Sequence, residues 1–224
     1  MNIWDGIWEC DFYSVPELRK KKASYKVDLF QDAINIDSDT ICVDVGCGGG
    51  YVSKELYKRF NCTIFSCDSS TSAINYAIEK NSFEKCNYIV SCAQDINLPC
   101  EVADVVLCIG VLEHISNIDS ALSEIRRILK KNGKLVIISS NRYSVIFIHR
   151  IIKQLLGKWK YGYQKNWSPL KLEKKLIEHG FFITETSIHQ GFGDFNKLNR
   201  IDKIISRLST YWGRYIQIIG GKYD

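Results

Sequence analysis

The run Val43-Asp44-Val45-Gly46-Cys47-Gly48-Gly49-Gly50 joins a buried-strand pattern, an acidic side chain and a cluster of glycines. Ile41 to Val45 is β-branched apart from Cys42 and Asp44, as a strand covered on both faces requires. The glycines let the backbone turn sharply and approach a ligand with no Cβ in the way. Tyr51 to Phe60 continues with helical spacing, so free N–H groups and a positive dipole end face whatever lies over the loop. Such a loop takes a nucleotide-type cofactor. Its spacing narrows the choice, because Gly46-x-Gly48-x-Gly50 is not the G-x-G-x-x-G of dinucleotide sites. A carboxylate two places before the first glycine suits an ammonium or sulfonium cation better than a pyrophosphate.

The pattern D-x-G-x-G-x-G, here Asp44 to Gly50, resembles the first motif of class I S-adenosylmethionine-dependent methyltransferases. The resemblance covers Asp39 to Gly133, and more loosely Ser168 to Lys222. It implies S-adenosyl-L-methionine as cofactor and S-adenosyl-L-homocysteine as product; no metal is expected, because strand four ends in Cys108, not Asp, and the sequence holds no divalent-metal constellation. Gly46, Cys47 and Gly48 match loop positions whose backbone approaches the methionine part of the cofactor. Asp44 matches the acid that helps orient its ammonium group. Asp68 stands where the family's carboxylate accepts both ribose hydroxyls; the plainer reading is a turn Asp capping the next helix with Ser69. Gln94-Asp95-Ile96 falls where the family often sets an acid against the adenine amino group. That acid commonly stands five residues before the proline of an L-P pair, which is Gln94 here, while Asp95 stands four before Pro99. Either residue can make the contact. Asp104 and Cys108-Ile109-Gly110-Val111-Leu112-Glu113-His114 resemble the family's "FDVV…LEH" segment, which puts Cys108 under the cofactor's sulfur and His114 near the substrate. Leu129 to Leu135 resembles the "LKPGG" turn, with Asn132 where proline is usual.

Methyl transfer needs the nucleophile in line at near-attack distance, and a base when the acceptor is a hydroxyl or protonated amine. The histidines are His114, His149, His179 and His189. His179 precedes Gly180 at a helix end and reads as a favourable C-terminal charge. His114 is the first candidate base, with His149 and His189 behind it. Candidate acceptor contacts are Trp4 and Trp8 near the N-terminus, Asn141, Tyr143 and Trp167 around an aromatic insert, and those two histidines.

Behind these residues the chain alternates strands and helices. Cys62 to Cys67 is an apolar run followed by Asp68-Ser69-Ser70. Thr71 to Lys80 sets Ala73, Ile74, Ala77 and Ile78 on one helical face. Asn87 to Ser91 and Ala103 to Ile109 are the third and fourth strands. Ser116 caps a helix striped by Ile118, Leu122, Ile125 and Leu129, stopped at Asn132-Gly133. Lys134 to Ser140 is the fifth strand, Ser168-Pro169 opens another helix, and Phe181 to Ile188 and Arg214 to Lys222 are the last strands. The expected fold is a doubly wound α/β sheet of seven strands, mostly parallel, with helices on both faces and, as in the family it resembles, an antiparallel last strand. It forms one domain over residues 1–224, with an N-terminal cap at 1–38 and a lid insert at 142–167.

The cap carries Trp4, Trp8, Phe12 and Tyr13, and the insert Tyr143, Phe147, Trp159, Tyr161, Tyr163 and Trp167. Ligands of such sheets bind beyond the carboxyl ends of the strands, where the insert can cover them. Arg142 to Lys175 has a net charge of +8 and leaves the remainder at −3. That reads either as a solvated helical face or as attraction to an anionic substrate, nucleic acid or membrane surface. Val145 to Leu156 mixes apolar and cationic residues as a basic amphipathic helix lying on a membrane does.

Apolar content of 46% and charged content of 25% are those of a soluble globular protein. No apolar run reaches membrane-spanning length, and Asp5, Glu9 and Asp11 break any signal-peptide core. All nine cysteines lie between Cys10 and Cys108 with no CxxC pair, which reads as reduced thiols of a cytoplasmic protein. The expected activity is methyl transfer to oxygen or nitrogen of a small, acidic or neutral metabolite, such as a sugar nucleotide or natural-product intermediate. Nucleic-acid partners are not expected, since no Asn/Asp-Pro-Pro-aromatic motif follows the fourth strand. The alternatives are an RNA, DNA or protein methyltransferase, a nicotinamide oxidoreductase on the same sheet, and a cofactor-binding subunit with no activity of its own.

Overall fold

The structure, a computed structural model, describes residues 3–10, 16–191 and 197–223. Phe12 and Tyr13 of the expected cap lie outside them. The elements run α1 (Ile3–Cys10), α2 (Pro16–Asp28), β1 (Ile41–Val45), α3 (Tyr51–Phe60), β2 (Thr63–Asp68), α4 (Thr71–Asn81), β3 (Cys86–Val90) and β4 (Ala103–Ile109). A 3₁₀ turn at Leu112–His114 leads to α5 (Ile118–Ile128), β5 (Leu129–Ser140), α6 (Val145–Leu155), α7 (Pro169–Glu178), β6 (Phe181–His189), α8 (Lys197–Ile205) and β7 (Tyr215–Lys222).

The strands form one seven-stranded sheet in the order β3-β2-β1-β4-β5-β7-β6. Pairing is parallel from β3 through β5, and β7 inserts antiparallel between β5 and β6. The last strand is antiparallel, as expected. Period-two alternation sends Val43, Val45, Val106, Cys108, Leu135 and Ile137 to one face, where α5 and α7 bring Leu122, Ile125, Leu172 and Leu176. Cys42, Ile64, Val105, Leu107 and Val136 point to the other face, against Val27 and Phe30 from the α2 region and Leu56 of α3. Helices thus cover both faces.

Several local expectations shift. The cap of α5 is Asn117, whose side chain accepts from the Ser120 N–H, and not Ser116. Strand β5 starts at Leu129, ahead of Asn132-Gly133, because Leu129 still pairs with Ala103 across an irregularity and Asn132 takes the turn at φ 62°. On α4, Ile78 is half exposed and Tyr76 is buried in its place under Trp8. Three helices had no counterpart in the expected elements: α1, α2, whose Glu17 to Lys26 stretch is dominated by charge, and α8. Among the described residues no helix is long and apolar enough to cross a membrane.

Leu122 is fully buried between α5 and the sheet. Leu122→Ala is expected to lower unfolding stability by about 3 kcal/mol, measured by denaturant titration, with little change in the far-ultraviolet circular dichroism of the native state.

Candidate active site

Parallel register brings three carboxyl ends level: Val45 lies opposite Cys67 on β2 and Cys108 on β4. The chain leaves them as Gly46, Asp68 and Ile109-Gly110, and all four line one cavity of about 500 Å³. The Gly46 and Cys47 N–H groups both donate to the Cys67 carbonyl, at 2.7 and 2.9 Å, which pins the loop to the end of β2. Gly46 and Gly48 have φ of +74° and +53°, a region costly for residues with a Cβ. A Cβ on Gly46 would also overlap the Val111 side chain, and one on Gly48 would stand 2.7 Å from the Trp8 ring. Gly50 ends the turn at φ +72° and opens α3.

Asp44 is buried beneath this loop. The Ser53 hydroxyl of α3 donates to it at 2.7 Å, and the Ser66 hydroxyl donates in turn to Ser53 at 2.8 Å. Burial raises its pKa to about 6, against the pull of the Ser53 hydrogen bond and of the positive charge on Lys26. Burial likewise lowers the pKa of Lys26, with Asp44 opposing it. Asp68 accepts from the Gly48 N–H at 2.8 Å and the Ser70 N–H at 2.9 Å, and burial raises its pKa too. Its carboxylate ties the glycine loop and holds the N–H of Ser70, and it is Ser70, not Asp68 or Ser69, that caps α4 through the Ala73 N–H.

Helix α1 closes one side. Asp5 accepts from the Ser70 hydroxyl at 2.7 Å and the Ser72 N–H at 3.2 Å, adding its charge to the N-terminus of α4. Trp8 packs on Gly48 and Gly49 with Tyr76, its ring centroid 5.6 Å from that of Tyr76. Trp4 meets His114 edge to face, ring centroids 4.7 Å apart, and stacks on Tyr161. The Nδ1 of His114 lies 3.2 Å from the Tyr163 carbonyl. That carbonyl can only accept, so Nδ1 carries the proton and Nε2 keeps its lone pair. Burial lowers the His114 pKa, which favours the neutral ring.

The cavity therefore gathers Trp4, Trp8, Asp44, Gly46, Cys47, Gly48, Asp68, Ser69, Gln94 and His114. Between the two adenine candidates, Gln94 faces it, while Asp95 bridges back to Cys92 and Ile96 is buried with its N–H on Glu124. Cys108 sits in the core under the sheet, and its neighbours Ile109 to Val111 form the wall instead. The structure does not bring the remaining acceptor candidates to the cavity. Asn141 is buried as a hub, donating to the Tyr211 carbonyl and accepting from the Tyr143 N–H. Tyr143 lines a separate hollow of about 230 Å³ with Trp212, and His149 is exposed on α6. Trp167 is buried in the core, with the Lys165 ammonium 4.0 Å from its ring. His189 ends β6, with its Nε2 buried and no hydrogen-bond partner recorded for it.

Charges that the sequence reading passed over also belong to the site. Arg19, Lys22 and Lys26 of α2 all line the cavity. Their spacing of three and four residues is one helical face, a signal present in the sequence but carried by polar residues. Glu113 is the second. It is buried and accepts from the Ser139 and Ser140 hydroxyls, each at 2.7 Å, and from the Ser140 N–H. It anchors the turn that presents His114, while its own carbonyl accepts from the Lys165 N–H at 2.7 Å and so ties down the insert.

A parallel sheet with one antiparallel strand and a glycine turn between the buried Asp44 and the half-buried Asp68 defines a Rossmann-like fold. Residues 43–137 match the family model described as a methyltransferase domain. Over those residues the chain carries a methyltransferase domain, in keeping with its resemblance to the class I S-adenosylmethionine-dependent methyltransferases. It is 29% identical over 180 residues to a protein of Rickettsia conorii named ubiquinone biosynthesis O-methyltransferase, covering 76% of this chain and 62% of that one. A protein of the same name from Rickettsia canadensis is 28% identical over 190 residues, covering 82% and 79%. The chain thus spans less than two thirds of the first relative. A chain of the complex between the Haloferax volcanii Trm112 methyltransferase activator and a methyltransferase superposes with a TM-score of 0.77 at 15% identity, over 99% of this chain and 98% of that one. That likeness concerns the fold.

The donor set fits the cofactor that the family uses. The buried Asp44 carboxylate and the Lys26 side chain, which influence each other's titration, line one cavity at a glycine turn whose Cβ positions are filled by cavity-wall side chains. Gly46→Ala is expected to weaken S-adenosylhomocysteine binding at least about tenfold through the forced φ and the clash with Val111, read by isothermal titration. Retained affinity would show that the turn does not shape the site.

Proposed function

We propose that this protein transfers a methyl group from S-adenosylmethionine to an oxygen of a small acceptor held in the cavity beside His114 and Trp4. The observation that carries this reading is the juxtaposition, in one cavity, of Asp44, Lys26, Asp68 and a neutral histidine. Bound S-adenosylmethionine supplies an activated methyl on a sulfonium leaving group. Asp44 takes the cofactor's ammonium group and Lys26 its carboxylate, so two cavity-lining charges of opposite sign meet their complements. Asp68 faces the ribose, and Gln94 the adenine edge. His114 accepts the acceptor's hydroxyl proton at Nε2, held in the required tautomer by the Tyr163 carbonyl. Trp4 orients that ring and offers an aromatic face to the acceptor. The names of the Rickettsia relatives favour oxygen over nitrogen as the atom methylated. Arg19 and Lys22 on the same wall suit an acceptor with an anionic group, as in a sugar nucleotide or acidic natural-product intermediate.

Incubating the purified protein with S-adenosylmethionine and a panel of catechols, acidic phenols and sugar nucleotides tests the reading. A methylated product by mass spectrometry is the expected result. Absence of S-adenosylhomocysteine binding would overturn it. With an accepted substrate, His114→Ala should lower kcat about 10²- to 10⁴-fold while S-adenosylhomocysteine affinity stays near wild type.

Asp44 also sets a pH dependence. Its folded pKa of about 6 lies above the ordinary 3.8, so the carboxylate is charged above pH 6 and lost as pH falls through it. Affinity for the cofactor's ammonium group should therefore drop between pH 7 and 5, and Asp44→Asn should give weak binding that no longer follows this titration.

A further inference from the structure

Outside the cavity, the largest feature with no role in methyl transfer is the surface formed by α6 and α8. The two helices pack on each other. Asp202 of α8 accepts from the Val145 N–H at the start of α6 at 2.7 Å and from the Trp212 indole at 2.8 Å, which locks the pair. Each helix then leaves an aliphatic stripe in solvent. On α6 it is Ile148, Ile152, Leu155 and Leu156, spaced for one face, with Leu155 83% exposed. On α8 and the turn after it, Ile201, Ile204 and Leu208 follow the same spacing, with Leu208 86% exposed. Single exposed aliphatics are ordinary, but seven on two packed helices are not.

The charge around these stripes has one sign. Residues 142–165 contain no acid, and Asp202 is the only one in 200–214. Asp202 is buried inside the pair. Lys153, Lys158, Arg200 and Arg207 are exposed on and beside the two helices. Long cationic side chains bordering an aliphatic stripe reach up to anionic headgroups while the stripe enters the acyl boundary. At 11 residues α6 is far too short to span a bilayer, so a contact with one is confined to the interface plane.

We propose that α6 and α8 form a docking face for an anionic phospholipid surface. Positive charge with no exposed acid among the described residues of the two helices selects that occupant over a second copy of the chain, whose identical face would repel it. The face connects to the active site through stacked rings. After α6, Trp159 packs edge to face on Tyr161, Tyr161 stacks on Trp4, and Trp4 touches His114.

Vesicle flotation of the full chain tests this independently of any acceptor. The protein is expected to float with vesicles of phosphatidylcholine and phosphatidylglycerol, to stay behind with phosphatidylcholine alone, and to be released by salt. Leu155→Glu and Leu208→Glu should each weaken binding at least about tenfold. Replacing Lys153, Arg200 and Arg207 by Gln should weaken it about fivefold for each charge removed. S-adenosylhomocysteine affinity and Tm should stay unchanged in all of these variants. The proposal fails if the wild-type protein does not float with the anionic vesicles or the Glu variants float equally well. It also fails if the two Leu→Glu changes instead dissociate a dimer of the chain in size-exclusion chromatography without any vesicle binding.

Discussion

Strand β1 is hydrogen-bonded in parallel between β2 and β4, and the site depends on that register. A shift of one residue would turn Asp44 from α3 to the opposite face and send Val43 and Val45 into the Ser53–Ser66 cluster. It would also separate Gly46 from Asp68, whose carboxylate now holds the Gly48 N–H. The fully buried aliphatic residues on both faces keep the register, because any slip would bury a carboxylate among them. Core packing and ligand geometry are therefore one constraint here.

Desolvation does the electrostatic work around that frame. Asp44, Asp68, Lys26 and His114 are each displaced from their ordinary pKa mainly by burial, in the direction that disfavours the charged form. Groups held this way gain from a ligand that brings the missing countercharge, which makes them sensitive to its presence. The burial comes from α1 and α2 as much as from the sheet. Trp8 covers the glycine turn, Trp4 covers His114, and α2 contributes the cationic wall. The 142–167 insert adds backbone more than side chains, through the Tyr163 carbonyl on His114 and the Lys165 N–H on Glu113.

Most of the sheet was legible in the sequence, because buried parallel strands are short β-branched runs and their helices carry regular apolar stripes. Strands β1 and β4 and helix α3 have the bounds that their patterns indicate. Helix α2 was not legible. It is rich in lysine and buries only Ala23 and Val27 within its length, so hydrophobic periodicity passes over it. The acceptor side was the hardest to read. Asn141, Trp167 and His189 have the residue types of a binding site, yet Asn141 satisfies buried backbone, Trp167 fills the core and His189 ends β6 away from the cavity, which depends on contacts made across the fold.

The sequence by itself determined the order of strands and helices, the glycine turn, and the positions of Asp44, Asp68 and His114 along the chain. These are local matters of period, spacing and backbone freedom. Only the tertiary structure decided that Gln94 and not Asp95 faces the cavity, that Lys26 lines the same cavity as Asp44, and that Glu113 anchors the turn under His114. Each of those outcomes depends on where a distant segment comes to rest, and the side chain's burial and partners follow from that placement.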